Sequence, residues 1–542
     1  VPGAVQSGRP EIRPEPGADP RSIVSGFLEA AVSSDASHSG SRQFLSSNAQ
    51  RRWQDSTVVI VDSYRVQVPD VRGPAAVVTA TGRRVGQLDN HGVFSPVLKG
   101  DGVGDTETFT FGLKKTNNEW RIDQLQPGIL ITQADFESSF KLRPLYFFDA
   151  GGARLVPDLR YSDAIDQALA SWLLTQLIAG PRQELLAAVR NEVPDQIEPR
   201  RASVTVGDKM RVEIPGTSQI DKVGRLRLAA QLANTLGLVQ FSSTLLTLTD
   251  SGQQVDIPTV GPDFNSDDVP KLGPTGGLAA STAYYVRNGS LISGLDDRPI
   301  SGPLGAGRYN LSYVALRRAT GGRLTVAAVA DKRLRLGSVE AGLQPPISLR
   351  AGPLTRPEWQ PHSDQAWVGV GGSIVRVGGD SRPHQVSLTS TRGGLPAGQF
   401  TALRFSPDGA RLAVIVHGAD GVNAVWIGSV VRSGTDVRIE AFEPVTPSQL
   451  DVRDLAWSDP TTLLLSARKG AAEVGFWSVQ SDGSSLASRS TVGLPCCPLS
   501  IAAAPGQLPL VEAGGALWIQ RGSSWSALVG TQTLGRSPVY PN

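Results

Sequence analysis

The residues of this chain that could do chemistry are five histidines, two Ser-x-x-Lys patterns, a glycine–aspartate loop, two acidic pairs and two adjacent cysteines. A zinc site or a histidine general base needs imidazoles brought together, and the sequence signature is a spacing such as HxxxH or HExxH on one helix face. His38, His91, His362, His384 and His417 show no such spacing. With only Cys496 and Cys497, and no CxxC, structural zinc is excluded as a reading. Ser138/Lys141 and Ser466/Lys469 have the spacing of an acyl-transferring serine and its lysine. That chemistry also requires SDN and KTG elements, which are missing, and a buried helix opening on the serine. Ser466 falls in a strand pattern, and no GxSxG elbow occurs.

Gly100-Asp101-Gly102-Val103-Gly104-Asp105 offers glycines and carboxylates but no strand-to-helix context for phosphate and no distal glutamate for calcium. It reads as a hairpin loop. Asp267-Asp268 and Asp296-Asp297 read as solvated pairs in connector or turn sequence. Cys496-Cys497 leaves three alternatives: a strained vicinal disulfide fixing a tight loop, a pair of free thiols, or a redox role. Trp525 and Tyr309 are the aromatics whose loop setting would suit a sugar platform.

The elements that would position these groups follow from composition and periodicity. A chain of 542 residues exceeds one core, and 59 glycines with 38 prolines suit many short strands joined by tight turns. A net charge of +2 argues against nucleic acid as a partner, and no run approaches the ~20 apolar residues of a membrane span. Met210 is the sole methionine, so a processed or trimmed chain is expected.

Residues 1–18 read as an extended tether. Asp19-Pro20 then opens a helix with Ile23, Phe27 and Ala31 on one face. Strand patterns follow at Val58–Val61, Tyr64–Val68 and Ala75–Ala80, and Phe109, Phe111 and Leu113 alternate before a turn at Asn117-Asn118. An α+β unit is expected over 19–138. Over 140–262 a two-layer α/β unit is expected: a strand at Tyr146–Phe148, a helix from Asp163 burying Ile165, Leu169, Trp172, Leu173 and Leu177, a hairpin about Gly207-Asp208, and a helix ending at Gly237. Residues 263–277 read as a connector.

From 278 to 542 the text is all-β and repetitive. Tyr313, Trp359, Phe405, Trp457 and Ala503 fall at intervals of 46, 46, 52 and 46 residues, each followed by an anchor at Leu336, Val375, Trp426, Trp477 or Trp518. A period in the mid-forties with four short strands is a propeller blade, and the tryptophans are expected between blades. Residues 283–294 look like the end of a blade without its beginning, and Pro538–Pro541 like a beginning without its end. Because open edges invite aggregation, the C-terminal strand is expected to complete the first blade and close a six-bladed ring.

LYFFDAGGARLVPDLR (145–160), WLLTQLIAGP (172–181) and AVRNEVPD (188–195) resemble the GerMN domain, and the domain order resembles that of the actinobacterial LpqB lipoproteins. The resemblance implies lipid anchoring on the outer face of the cytoplasmic membrane. It also implies an accessory role to the MtrA/MtrB two-component system through the extracellular part of the sensor kinase, affecting envelope homeostasis and cell division. The anchoring cysteine of such a protein is absent, Val1 standing first. The expected function is therefore non-enzymatic, without cofactor or metal. A cell-wall glycan-binding protein is the alternative, and a hydrolase in the propeller funnel the more remote one. The first strands offer that funnel Arg317, Arg404, Asp451 and Asp454 but no histidine.

Overall fold

The computed structural model describes residues 12–32, 38–97, 106–194, 197, 199–239, 244–269, 272–273, 281–319, 321–391 and 394–542. The glycine–aspartate loop lies outside them, as do residues 1–11 of the expected tether. Residues 12–18 depart from that reading: Ile12 and Ala18 pack on the first core, and the Gly17 N–H donates to Glu119.

The first helix, Pro20–Ala30, starts where the sequence predicts, with the Asp19 carboxylate accepting the Arg21 and Ser22 N–H groups. This satisfies donors that the first turn leaves unpaired. Ile23, Val24, Phe27 and Leu28 bury against a curved sheet. In that sheet Val58–Arg72 and Ala75–Leu88 form a long hairpin, flanked by Thr106–Thr116 with Glu119–Gln124 and by the parallel strand Ile129–Thr132. Asn117 and Asn118, both at positive φ, make the turn predicted there.

The middle unit stacks the helices Asp166–Ala179 and Lys222–Leu236 on two small sheets. Its first helix begins three residues later than Asp163, and Ile165 precedes it, largely exposed, instead of joining the buried stripe of Leu169, Leu173 and Leu177. The connector is also shorter than expected. Asp263–Phe264 pairs with Leu246–Thr247, Phe264 is fully buried, and Val269 and Leu272 pack against Phe148 and Leu155.

Beyond Ser266–Asp268 no helix occurs among the described residues. The remaining strands form a three-stranded sheet, three four-stranded sheets and one eight-stranded sheet. The last joins two four-stranded runs through a parallel pairing of Ser387–Leu388 with Arg438–Ile439, so the strands fall into six groups. The C-terminal strand Arg536–Val539 pairs with Tyr284–Arg287, Tyr284 opposite Val539 and Val286 opposite Arg536. The tail thus sits where the unmatched half-blades placed it.

The recurring tryptophans divide into two kinds. Trp359 and Trp457, both buried, donate their indole N–H across to the first strand of the preceding group, at Ala315 O and Arg404 O, each at 3.1 Å. Trp426, Trp477 and Trp518 are only partly buried, and the last two bond within their own sheets, yet each packs against a core cluster drawn from two adjacent strand groups, as expected of residues between blades. Trp367 and Trp525 are the buried ones the period missed.

The three units are cemented together. Ala410 and Val431 of the propeller belong to the middle unit's core, and Tyr161 of the middle unit belongs to the first. Arg411 donates to Pro157 O at 2.6 Å, Ser429 to Glu184 O at 2.5 Å, and the Tyr161 and Ser484 hydroxyls bond at 2.5 Å. At this seam Gly483 has φ +85°, and a Cβ there would lie 2.7 Å from Val445 O and 3.0 Å from Pro96 Cγ.

Two outcomes are expected. Gly483→Ala costs about 1–3 kcal/mol through backbone strain, before any loosening of the seam; calorimetric unfolding of the variant should show a lower Tm. Deleting residues 536–542 exposes Tyr284–Arg287 as a bare edge. The truncated protein should unfold at lower urea or self-associate, and an unchanged midpoint with a monodisperse profile would show that the tail seals nothing.

Candidate functional site

The first strands of the propeller surround a throat of about 720 Å³. Its walls are apolar, with Leu316, Phe405, Trp457, Ala502, Val539 and Tyr540, and its charged groups come from successive strand groups. Arg356 is buried and donates to Pro538 O at 3.0 Å and Ile501 O at 3.2 Å. Arg404, also buried, reaches Asp454 at 3.4 Å and Glu358 at 4.0 Å. Asp454 in turn accepts the Leu455 and Ile501 N–H groups, both at 2.9 Å.

Burial sets the electrostatics. Desolvation, aided by the neighbouring Arg404 charge, lowers the Arg356 pKa to about 10, and desolvation raises that of Glu358 against the pull of both arginines. Tyr540 is pushed up to about 12 by burial. At the mouth the Arg317 guanidinium lies 4.9 Å from the Trp359 ring centre and donates to Ser363 O. Burial also lowers the pKa of His362, another lining residue, favouring its neutral form.

Arg317, Arg404 and Asp454, noted from the sequence, therefore do converge near the axis. Asp451 does not line the throat; it pairs with Arg453 and Arg468 and accepts from Asn423. Arg356 and Glu358 were missed. A partial signal was there: Arg356, Arg404 and Asp454 each fall within three residues before their blade landmarks Trp359, Phe405 and Trp457.

The other sequence candidates are scattered. His91 bonds Gln176, His384 faces Asp380 at 3.6 Å, and His417 bonds Asn423. No cluster of three metal-binding side chains occurs among the described residues. The Lys141 ammonium donates to the Ser138 carbonyl, not its hydroxyl, and Ser466 donates to Pro498 O while Lys469 lies over Trp477, so neither pair aligns a nucleophile with a base. The acidic pairs are not simply solvated: Asp297 accepts from Tyr285 and Arg287, and Asp268 accepts the Asn265 N–H in a capping box. Trp525 is no surface platform but a buried ring edge-on to Phe476 at 5.1 Å. Tyr309 is half-buried and bonds Leu343 O.

Cys496 is exposed and Cys497 half-buried, and the two are unbridged in this structure. The vicinal bridge stays a proposal with a direct test. Thiols should take up maleimide without reductant, Cys496 first, whereas a bridged pair would take up none and weigh two hydrogens less.

Family models place this architecture among known proteins. The model described as the LpqB lipoprotein N-terminal domain matches residues 13–137, and that of the LpqB lipoprotein β-propeller domain matches residues 289–541. The chain is 29% identical over 507 residues to a Lipoprotein LpqB of Rhodococcus jostii, covering 87% of this chain and 81% of the relative. It is 26% identical over 567 residues to the Lipoprotein LpqB of Mycobacterium tuberculosis, covering 98% and 92%. Among solved structures it is similar to TolB from Acinetobacter baumannii, at 14% identity and a TM-score of 0.35 over 51% of this chain and 71% of that one.

Proposed function

This chain belongs to the LpqB lipoprotein family, and from that premise we propose that it is a non-enzymatic accessory protein outside the cytoplasmic membrane that binds the extracellular domain of an MtrB-like sensor kinase. The observation that carries the reading is the presence of both LpqB domains, in order, in one chain. The relatives' name speaks for a lipid anchor. No helix among the described residues is long and apolar enough to cross a membrane, which is compatible with attachment by lipid.

Physical features support a binding role over a catalytic one. Neither Ser-x-x-Lys pair aligns its hydroxyl with its ammonium, and His91 and His417 are bonded to side-chain amides, not to a serine. The three units share core residues across their seams, which favours a preorganised surface whose ordering cost is met at folding and not at binding.

Purified chain titrated onto the immobilised extracellular domain of the kinase should give saturable binding in the micromolar range or tighter, the ordinary scale of a specific signalling contact. Retention on purified cell wall with no binding to the kinase domain would move the reading to a wall-glycan receptor. Failure to bind either would remove its basis.

A further inference from the structure

We propose that the throat of the propeller binds an organic oxyanion, a carboxylate or phosphate carried on a compact apolar body. This inference is independent of the kinase reading and concerns a small-molecule site. The throat's volume, about 720 Å³, lies within the range of ligand pockets, about 300–1,000 Å³. Its lining combines what such a ligand needs: aromatic and aliphatic walls at Leu316, Phe405, Trp457 and Tyr540, and guanidinium groups beside them.

The pairing of the guanidiniums selects the sign. Arg317, Arg318, Arg356 and Arg404 line the throat with the carboxylates of Glu358 and Asp364 and the chain-terminal residue Asn542. Arg404 is paired with Asp454 and Glu358. Arg356 is not held in that way. It spends two of its five N–H donors on the carbonyls of Pro538 and Ile501, and among the described residues no carboxylate lies within 4 Å of it, Asp454 and Glu358 acting on it from farther off. The Arg404 charge beside it adds to the cost of burying the Arg356 guanidinium. A ligand oxyanion reaching Arg356 would offset that cost, because a carboxylate or phosphate accepts from guanidinium in a fork geometry that a neutral hydroxyl cannot match.

The test uses the intact protein and three probes with one apolar body: 2-naphthoate, 2-naphthyl phosphate and 2-naphthamide, titrated calorimetrically. At least one anion should bind about tenfold or more tighter than the amide, the scale of a charge-assisted hydrogen bond. Which anion wins distinguishes a carboxylate ligand from a phosphate ligand. Arg356→Gln should erase the preference for the anion. Ala503→Trp, which fills the wall of the throat without changing charge, should weaken all probes and keeps the test decisive if the buried arginine proves essential for folding. Equal affinity for anion and amide, or undiminished anion binding by folded Ala503→Trp, would overturn the proposal.

Discussion

The molecule depends on one strand pairing. Tyr284–Arg287 begins the propeller and Arg536–Val539 ends it, and their ladder joins residues some 250 positions apart. Without it, two sheet edges would carry unpaired N–H and C=O groups. The same tail also builds the throat. Pro538 O holds Arg356, the Asn542 backbone bonds Leu316 O and the Arg318 N–H, and the Asn542 side chain donates to Trp359 O. Closing the ring and furnishing its axis are therefore one event. The charged floor is assembled only when the last residues of the chain are in place.

A second layer of order comes from the seams between units. Their interiors hold charge as well as apolar contact: Asp158 and Arg160 pair at 2.7 Å, both almost fully buried, and Asp158 accepts the Arg182 N–H at 2.8 Å. Such pairs contribute little net stability, because desolvation offsets the attraction, but breaking one leaves a bare buried charge. They act as registration marks. Burial raises the pKa of Asp482 at this seam, while the nearby Arg182 pulls it down. A displaced unit would strand these charges, so the docked arrangement is favoured over its near neighbours by more than its apolar contact alone.

How much of this was legible in the sequence depends on the range of the interaction. Asp19 as a cap, the Asn117-Asn118 turn and the tail's place beside Tyr284 could be read because local alternation, turn chemistry and an unmatched half-repeat all carry them. The turn Ser406-Pro407-Asp408-Gly409 shows where that reading stops. Its sequence specifies a tight turn, and Asp408 does accept the Ala410 N–H and the Ser406 hydroxyl. Yet Asp408 is buried, and the adjacent Arg411 plugs into Pro157 O of the middle unit. Turn chemistry is the same whether solvent or another domain covers it. Trp525 was misjudged for the related reason that a short outer strand, Ser524–Ala527, resembles a loop until its partner Ala516–Arg521 is known.

The throat explains why a protein with no catalytic motif can still hold a chemically distinct site. A catalytic triad or metal set must place several particular side chains within ångströms, and it leaves spacings that a sequence betrays. A ring concentrates charge more cheaply. A residue in or just before each first strand is carried toward a common axis by the fold itself. Arg356, Arg404 and Asp454 arrive there in that way, from neighbouring though not equivalent points of their blades, and apolar walls then strengthen every electrostatic interaction among them by excluding water. The periodicity that builds the propeller is thus the same device that gathers its polar floor, and the positions to examine in any such ring are those where the repeat stops being apolar.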